Sequence, residues 1–228
     1  MSSVKVNSNT YADISSVRLP LSDGSGYAVY TEGQSQNENA VFDALMAGDN
    51  LGDYTNSEIT KFNPVVLSYR TLGTWNLPNV ATVMGGNIQN FTAANLLMPG
   101  ALGCSNPYPQ FRGGKVTGVM DFRSYNGNSG LGNASLSFFV YGMTIGTLRL
   151  DALNLVGGSM FGTATITNLV WGGANLTADG IKAVLNAAAS ITNLYITDAI
   201  YDDVAALISA GTITKVTNLY KYSEWSDD

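Results

Sequence analysis

The sequence predicts an α/β repeat protein in which short parallel strands stack into a solenoid, preceded by a small antiparallel β module. Three observations carry that reading. One phrase recurs, as Ile166-Thr-Asn-Leu169-Val-Trp171, Ile191-Thr-Asn-Leu194-Tyr-Ile196 and Val216-Thr-Asn-Leu219-Tyr-Lys221. Each copy is rich in β-branched residues and apolar at positions 1 and 4 and usually 6, which suits a short strand burying one face. The same template extends upstream to Ile145-x-x-Leu148-x-Leu150, Val116-x-x-Val119-x-Asp121, Ala93-x-x-Leu96-x-Met98 and Leu72-x-x-Trp75-x-Leu77.

With position 4 as the marker, residues 75, 96, 119, 148, 169, 194 and 219 are separated by steps of 21, 23, 29, 21, 25 and 25. These steps lie close to the leucine-rich-repeat range of about 20 to 29 residues. One such unit cannot bury its apolar face, whereas stacked units line their strands into one sheet over a continuous core. The second and third copies depart from the pattern: Ala93 is small, and Asp121 is charged where a core residue is expected. The 29-residue step holds an additional strand candidate, Ser135-Leu-Ser-Phe-Phe-Val-Tyr141.

Residues 1–35 read as a separate antiparallel β module. Val4 and Val6 alternate with polar residues, Tyr11 follows an Asn-Ser-Asn turn, and Val17-Arg-Leu19-Pro-Leu21 leads through Ser22-Asp-Gly-Ser-Gly26 to Tyr27-Ala-Val-Tyr30. A sheet this small needs a neighbour to dock on. Residues 36–62 form a linker and capping segment, with a short helix expected over Ala40–Ala47 that ends at Gly48. Residues 63–228 form the repeat domain. In its later part the returns are helical: Thr177 is placed to cap a helix over Ala178–Ala188, and Asp198 one over Ile200–Ser209 that stops at Gly211. The double glycines at 85, 113, 157 and 172 are expected at tight turns into or out of the sheet. The last residues, Lys221 to Asp228, are expected to close the open end.

Composition narrows the function. Charged residues make up 12% of the chain, about half the usual share. Net charge is -6 with no basic run, so the attraction to phosphates that nucleic-acid binding requires is missing. Cys104 is the sole cysteine and histidine is absent, which removes a disulfide, Ser-His or Cys-His catalysis and any thiolate or imidazole metal site. Cys104 reads as a small buried hydrophobe. No cofactor is expected. No secretory signal and no apolar run long enough to span a membrane are read in the sequence.

The repeats resemble the BspA-like class of leucine-rich repeats, found in bacterial surface proteins and bacteriophage structural proteins. The match lies in Trp75-Asn-Leu-Pro-Asn-Val80, in Asn95-Leu-Leu-Met-Pro99, and in Leu194-Tyr-Ile-Thr-Asp-Ala199 followed by a helix, a last strand and Tyr222-Ser-Glu224. That last stretch looks like the family's closing cap, with Thr197 where proline is usual; the family's Ala-Phe helix-turn phrase is absent from the middle repeats. The opening Val-x-Val-Asn-x-x-Thr-Tyr and Gly-Ser-Gly-Tyr-Ala phrases look like the first segments of phage virion proteins. The resemblance implies a non-enzymatic structural or adhesive protein on the exterior of a phage particle. Val4, Val6, Tyr11, Val17 and Leu19 are then the anchoring residues, and the repeats are displayed outward as decoration or adhesin. Its expected partners are other capsid or tail proteins, further copies of itself in a trimer, and a glycan or protein of the host surface.

Four constellations bear on function. Asp121 and Asp151 fall on successive strands, and a close carboxylate pair would supply the acid and base of a glycoside hydrolase; two solvent-facing carboxylates are the plainer reading. Tyr108, Phe111 and Tyr125 occupy Pro/Gly/Asn-rich loops, where exposed aromatics form a contact surface for sugar or protein, and packing is the competing reading. Asp23-Gly-Ser-Gly and Asp49-Asn-Leu-Gly-Asp53 lack calcium-loop spacing and read as ordinary turns. Asn133-Ala-Ser and Asn175-Leu-Thr match glycosylation acceptors by chance. The leading expectation is the virion protein. Its rivals are a bacterial cell-surface leucine-rich-repeat adhesin and a carbohydrate-active enzyme using the paired carboxylates.

Overall fold

The computed structural model of the chain describes residues 3–6, 9–12, 16–20, 27–31, 50–104, 109–126, 139–154 and 159–227. The expected helix over Ala40–Ala47, the turn at Asp23, Tyr108, Phe138, Asn133 and the double glycine at 157 lie outside them.

Strands β1 (Ser3–Val6) and β2 (Asn9–Ala12) pair antiparallel, as do β3 (Ser16–Pro20) and β4 (Tyr27–Thr31). These are the hairpins read from the alternating valines and the Asn- and Gly-rich turns.

The repeated phrase forms one parallel sheet. Its members are β5 (Tyr54–Thr55), β7 (Thr71–Asn76), β9 (Gly86–Leu97), β11 (Pro109–Asp121), β13 (Thr144–Arg149), β14 (Thr165–Trp171), β15 (Ser190–Ile196) and β16 (Val216–Lys221), neighbours in that order. A ninth strand, β12 (Val140–Tyr141), pairs with the start of β11 and is the described end of the additional strand expected before Tyr141. Position 1 runs along one rung through Leu72, Ala93, Val116, Ile145, Ile166, Ile191 and Val216. Position 4 runs along another through Trp75, Leu96, Met120, Leu148, Leu169, Leu194 and Leu219, all buried except the partly buried Leu219 on the edge strand.

The third copy corrects the sequence reading. The marker is Met120 rather than Val119, because β11 carries a bulge between Val116 and Met120 that inserts one residue into the phrase. Position 6 is then Phe122, fully buried, and Asp121 moves to position 5 on the opposite face. The core therefore has no charged rung there.

Positions 3 and 5 face away from the core. Along position 3 the side chains form a hydrogen-bonded ladder. Asn218 donates to Asn193 (2.9 Å), Asn193 to Asn168 (2.8 Å), Asn168 to Thr147 (3.2 Å), and Asn95 to Thr74 (2.9 Å). In the bulged copy Val119 stands at this position, and its backbone N–H is taken by Asn95 Oδ1 at 2.7 Å. Stacked side chains satisfy one another at the repeat spacing, which accounts for the recurring Asn of the phrase. Asn193→Ala breaks two of these bonds on a half-exposed face. It is expected to cost about 1 kcal/mol in urea unfolding, with no change in the denaturant slope.

The returns differ along the sheet. Late in the chain they are helices: α1 (Ala178–Ala187), capped by Thr177 Oγ1 accepting from the Gly180 N–H at 3.2 Å, and α2 (Tyr201–Ser209). Ile181, Val184, Leu185 and Val204 turn inward from them. Helix α2 ends as expected at Gly211, in the left-handed region at φ 69°, with the Thr212 N–H bonded to the Leu207 carbonyl. Asp198 does not cap it: a single 3-10 turn over Asp198–Ile200 precedes the helix, and the carboxylate is engaged elsewhere. Earlier in the chain the returns contain short strands instead. β6 (Lys61–Phe62), β8 (Thr82–Val83) and β10 (Gly103–Cys104) form a second parallel sheet.

Gly113-Gly114 is not at a turn as expected but inside β11. Both residues have positive φ, and a Cβ on Gly114 would lie 2.1 Å from the Phe91 carbonyl oxygen. The pair lets β11 bend while staying against β9.

Candidate functional site

The polar face of the sheet carries a cleft of about 560 Å³ over β9, β11, β13 and β14. Its walls are Asn95, Leu97, Val119, Thr147 and Asn168 on one side and Trp225, Ser226 and Asp227 on the other, with Asp121, Arg123 and Arg149 between.

Residues 222–227 make the second wall by crossing this face, rather than only closing an end as the sequence suggested. Ser223 fastens the segment by donating its N–H and Oγ–H to Asp198 at 3.1 and 2.7 Å. The Tyr222 hydroxyl donates to Asp151 at 2.9 Å. Trp225 packs edge-on against Tyr195, which stacks on Tyr220 at the next rung, both at 4.9 Å between ring centroids. The Trp225 ring also lies 6.0 Å from the Arg149 guanidinium, within cation–π reach.

At the centre two arginines meet three carboxylates. Asp121 is buried and takes Nε and Nη2 of Arg123 at 2.9 and 2.5 Å, along with the Arg123 backbone N–H. Arg149, its rung neighbour on β13, is buried and grips Asp151 with Nε and Nη2. Asp227 joins the two, bonded to Arg149 Nη1 and 3.5 Å from Arg123 Nη1. Forked pairs of this kind are the strong form of charge-assisted bonding. Burial alone would lower the Arg149 pKa, but bonds to Asp151 and Asp227 and their charges hold it above the usual arginine value.

Asp121 and Asp151 thus fall on neighbouring strands as predicted, yet they are not a carboxylate pair facing each other. Each is paired with an arginine two residues away. The sequence reading missed Arg123, Arg149, Trp225 and Asp227. The signal for half of this was present: Asp121-Phe-Arg123 and Arg149-Leu-Asp151 are mirror-image pairs at the ends of adjacent strands.

The aromatic surface is corrected. Phe111 and Tyr125 are fully buried and belong to a ring cluster with Phe91, Phe122 and Phe139, with centroid distances of 5.4 to 6.3 Å. Burial leaves them nothing to offer a partner. The Tyr125 hydroxyl donates to Cys104 Sγ at 3.0 Å. Cys104 is buried as expected, and burial pushes its thiol pKa up against the opposing effect of that bond. Asp53, read as part of a turn, accepts the Thr74 N–H at 2.6 Å. The side chains of Val4, Val6, Tyr11, Val17 and Leu19 lie outside the description, although all five residues are in strands. Among the described residues no group of three potential metal ligands converges, and no helix is long and apolar enough to cross a membrane.

The crossing segment is expected to loosen in acid. Burial raises the Asp227 pKa, but bonds from Arg149 and Trp225 and the charge of both arginines outweigh it and hold the carboxyl below its usual range. Asp198 is lowered chiefly by its bonds from Ser223. Both folded pKa values lie below the unfolded ones, so the stabilisation is complete above the ordinary aspartate value of about 3.9 and is lost as pH falls through the depressed folded values. Trp225 emission is therefore expected to hold steady from pH 8 to about 5 and to shift to the red below about pH 4, with less of that shift in Asp227→Asn.

Compared with family models, curated proteins and solved structures, the chain matches none.

Proposed function

We propose that the protein is a non-enzymatic structural component of a bacteriophage virion, anchored to capsid or tail by β1–β4 and displaying a leucine-rich-repeat solenoid as decoration or host-surface adhesin. The observation that supports this best is the recurrence of one phrase at matched rungs of a single parallel sheet, beside two separate antiparallel pairs. A stack of near-identical units makes a stiff elongated support with a long polar face, which suits display. Hairpins as small as β1–β2 and β3–β4 gain most by adding to other chains, which suits attachment and assembly as a trimer. The carbohydrate-active alternative draws little support from Asp121 and Asp151, because an arginine occupies each carboxylate.

The test is to label the protein and locate it by electron microscopy on purified particles of the phage that carries its gene, and to measure its mass in solution. Regular labelling of the particle exterior and a trimeric mass are expected. Absence of label from the particles ends the virion reading.

A further inference from the structure

The three carboxylates around Arg123 and Arg149 are not equivalent. The side chains of Asp121 and Asp151 are 3% and 14% exposed, and each is held by the arginine of its own strand end. That of Asp227 is 58% exposed, comes from the crossing segment, and reaches both guanidiniums through the Nη1 edges that the other two leave free. Without Asp227 the remaining group is neutral, two arginines against two aspartates, with two Nη1 edges directed at one position at the side of the cleft. Of the three carboxylates only that of Asp227 is open to solvent, so it is the one that a dissolved carboxylate can replace.

We propose that this cleft binds an acidic saccharide, whose carboxylate takes the place of Asp227 on Arg123 and Arg149. The cleft's volume of about 560 Å³ accommodates one or two sugar rings. Its floor is lined by Asn95, Thr147 and Asn168, whose ladder bonds leave each amide one N–H and one lone pair to meet a sugar hydroxyl, and Trp225 supplies an aromatic ring at the rim. An acidic peptide fits less well. Peptides recognised by sheets add to an open strand edge, and β9, β11, β13 and β14 are interior strands paired on both sides. Asp227 is in this account an internal stand-in that the ligand displaces, so it lowers the apparent affinity by keeping the site occupied. The inference concerns the cleft alone: absence from virions leaves it standing, and failure to bind leaves the virion placement standing.

The experiment titrates the full chain with sodium glucuronate by calorimetry, with glucose and acetate as controls. Asp227→Asn is expected to bind glucuronate about fivefold more tightly than the unaltered protein. Glucose and acetate are each expected to bind at least about tenfold more weakly than glucuronate, because each lacks half of the recognition. The double variant Asp121→Asn with Arg123→Gln removes an arginine without leaving a buried charge, and it is expected to lose binding while its circular dichroism and melting are retained. The proposal is overturned if glucuronate fails to bind Asp227→Asn at tens of millimolar, order of magnitude, if acetate or glucose binds as well, or if the folded double variant binds undiminished.

Discussion

Trp171→Ala is expected to be the most damaging single truncation in the sheet, costing about 4 kcal/mol. Trp171 closes the fifth copy of the phrase, is fully buried, and meets Phe161 edge-on at 5.5 Å. Its indole N–H donates to the Leu153 carbonyl at 2.8 Å, so the mutation opens a large apolar void and also strands a buried acceptor. Collapse around the void is limited because Leu150 and Ile196 occupy the same position on the flanking copies and are themselves buried. For a domain of this size the loss lowers the melting temperature by about 10 °C. Differential scanning calorimetry reads it directly. A drop under about 3 °C would mean that Trp171 does not sit in a continuous core.

Arg123→Ala is expected to cost about 3 kcal/mol at neutral pH, although Arg123 itself is 41% exposed. The penalty lies with its partner: the Asp121 side chain is 3% exposed and would be left as a buried charge with its guanidinium gone. Adding Asp121→Asn to Arg123→Ala is expected to recover most of the loss, because an amide accepts the Arg123 backbone N–H without carrying charge. A double-mutant cycle in urea should therefore give a coupling energy of about 2 kcal/mol. Equal stability of the single and double variants would show the pair to be an ordinary surface contact.

The parallel ladder is legible in the sequence because apolar residues three and five apart on a β-branched stretch have few other uses. The position of the bulge in β11 could not. Val119 and Met120 are equally apolar, and only pairing with Leu96 on one side and Leu148 on the other selects Met120. The two-residue return strands β6, β8 and β10 are too short to show any period. For Phe111 and Tyr125 the sequence leaves contact surface and packing both open, and the structure selects packing. Their glycine-, proline- and asparagine-rich surroundings suggest loops, where an aromatic can equally be exposed or packed, whereas Phe111 lies within β11 and both rings join a buried cluster of five.

The candidate site lies at the limit of what a sequence holds. Asp121-x-Arg123 and Arg149-x-Asp151 are local, and their reversed order on adjacent strands follows from the repeat once the bulge is placed. Asp227 is 78 residues from Arg149, and nothing in the intervening composition says that it returns.

Residue types at fixed spacing are enough to set the period and the apolar rungs, since each copy needs only its neighbour, whereas the amide ladder on the opposite face appears only once the strands are in register. Tertiary structure alone decided which rung the bulge shifts, which aromatics the core takes, and that residues 222–227 fold across the polar face to bridge two arginines. Those outcomes depend on side chains far apart in the chain competing for the same space and the same charge.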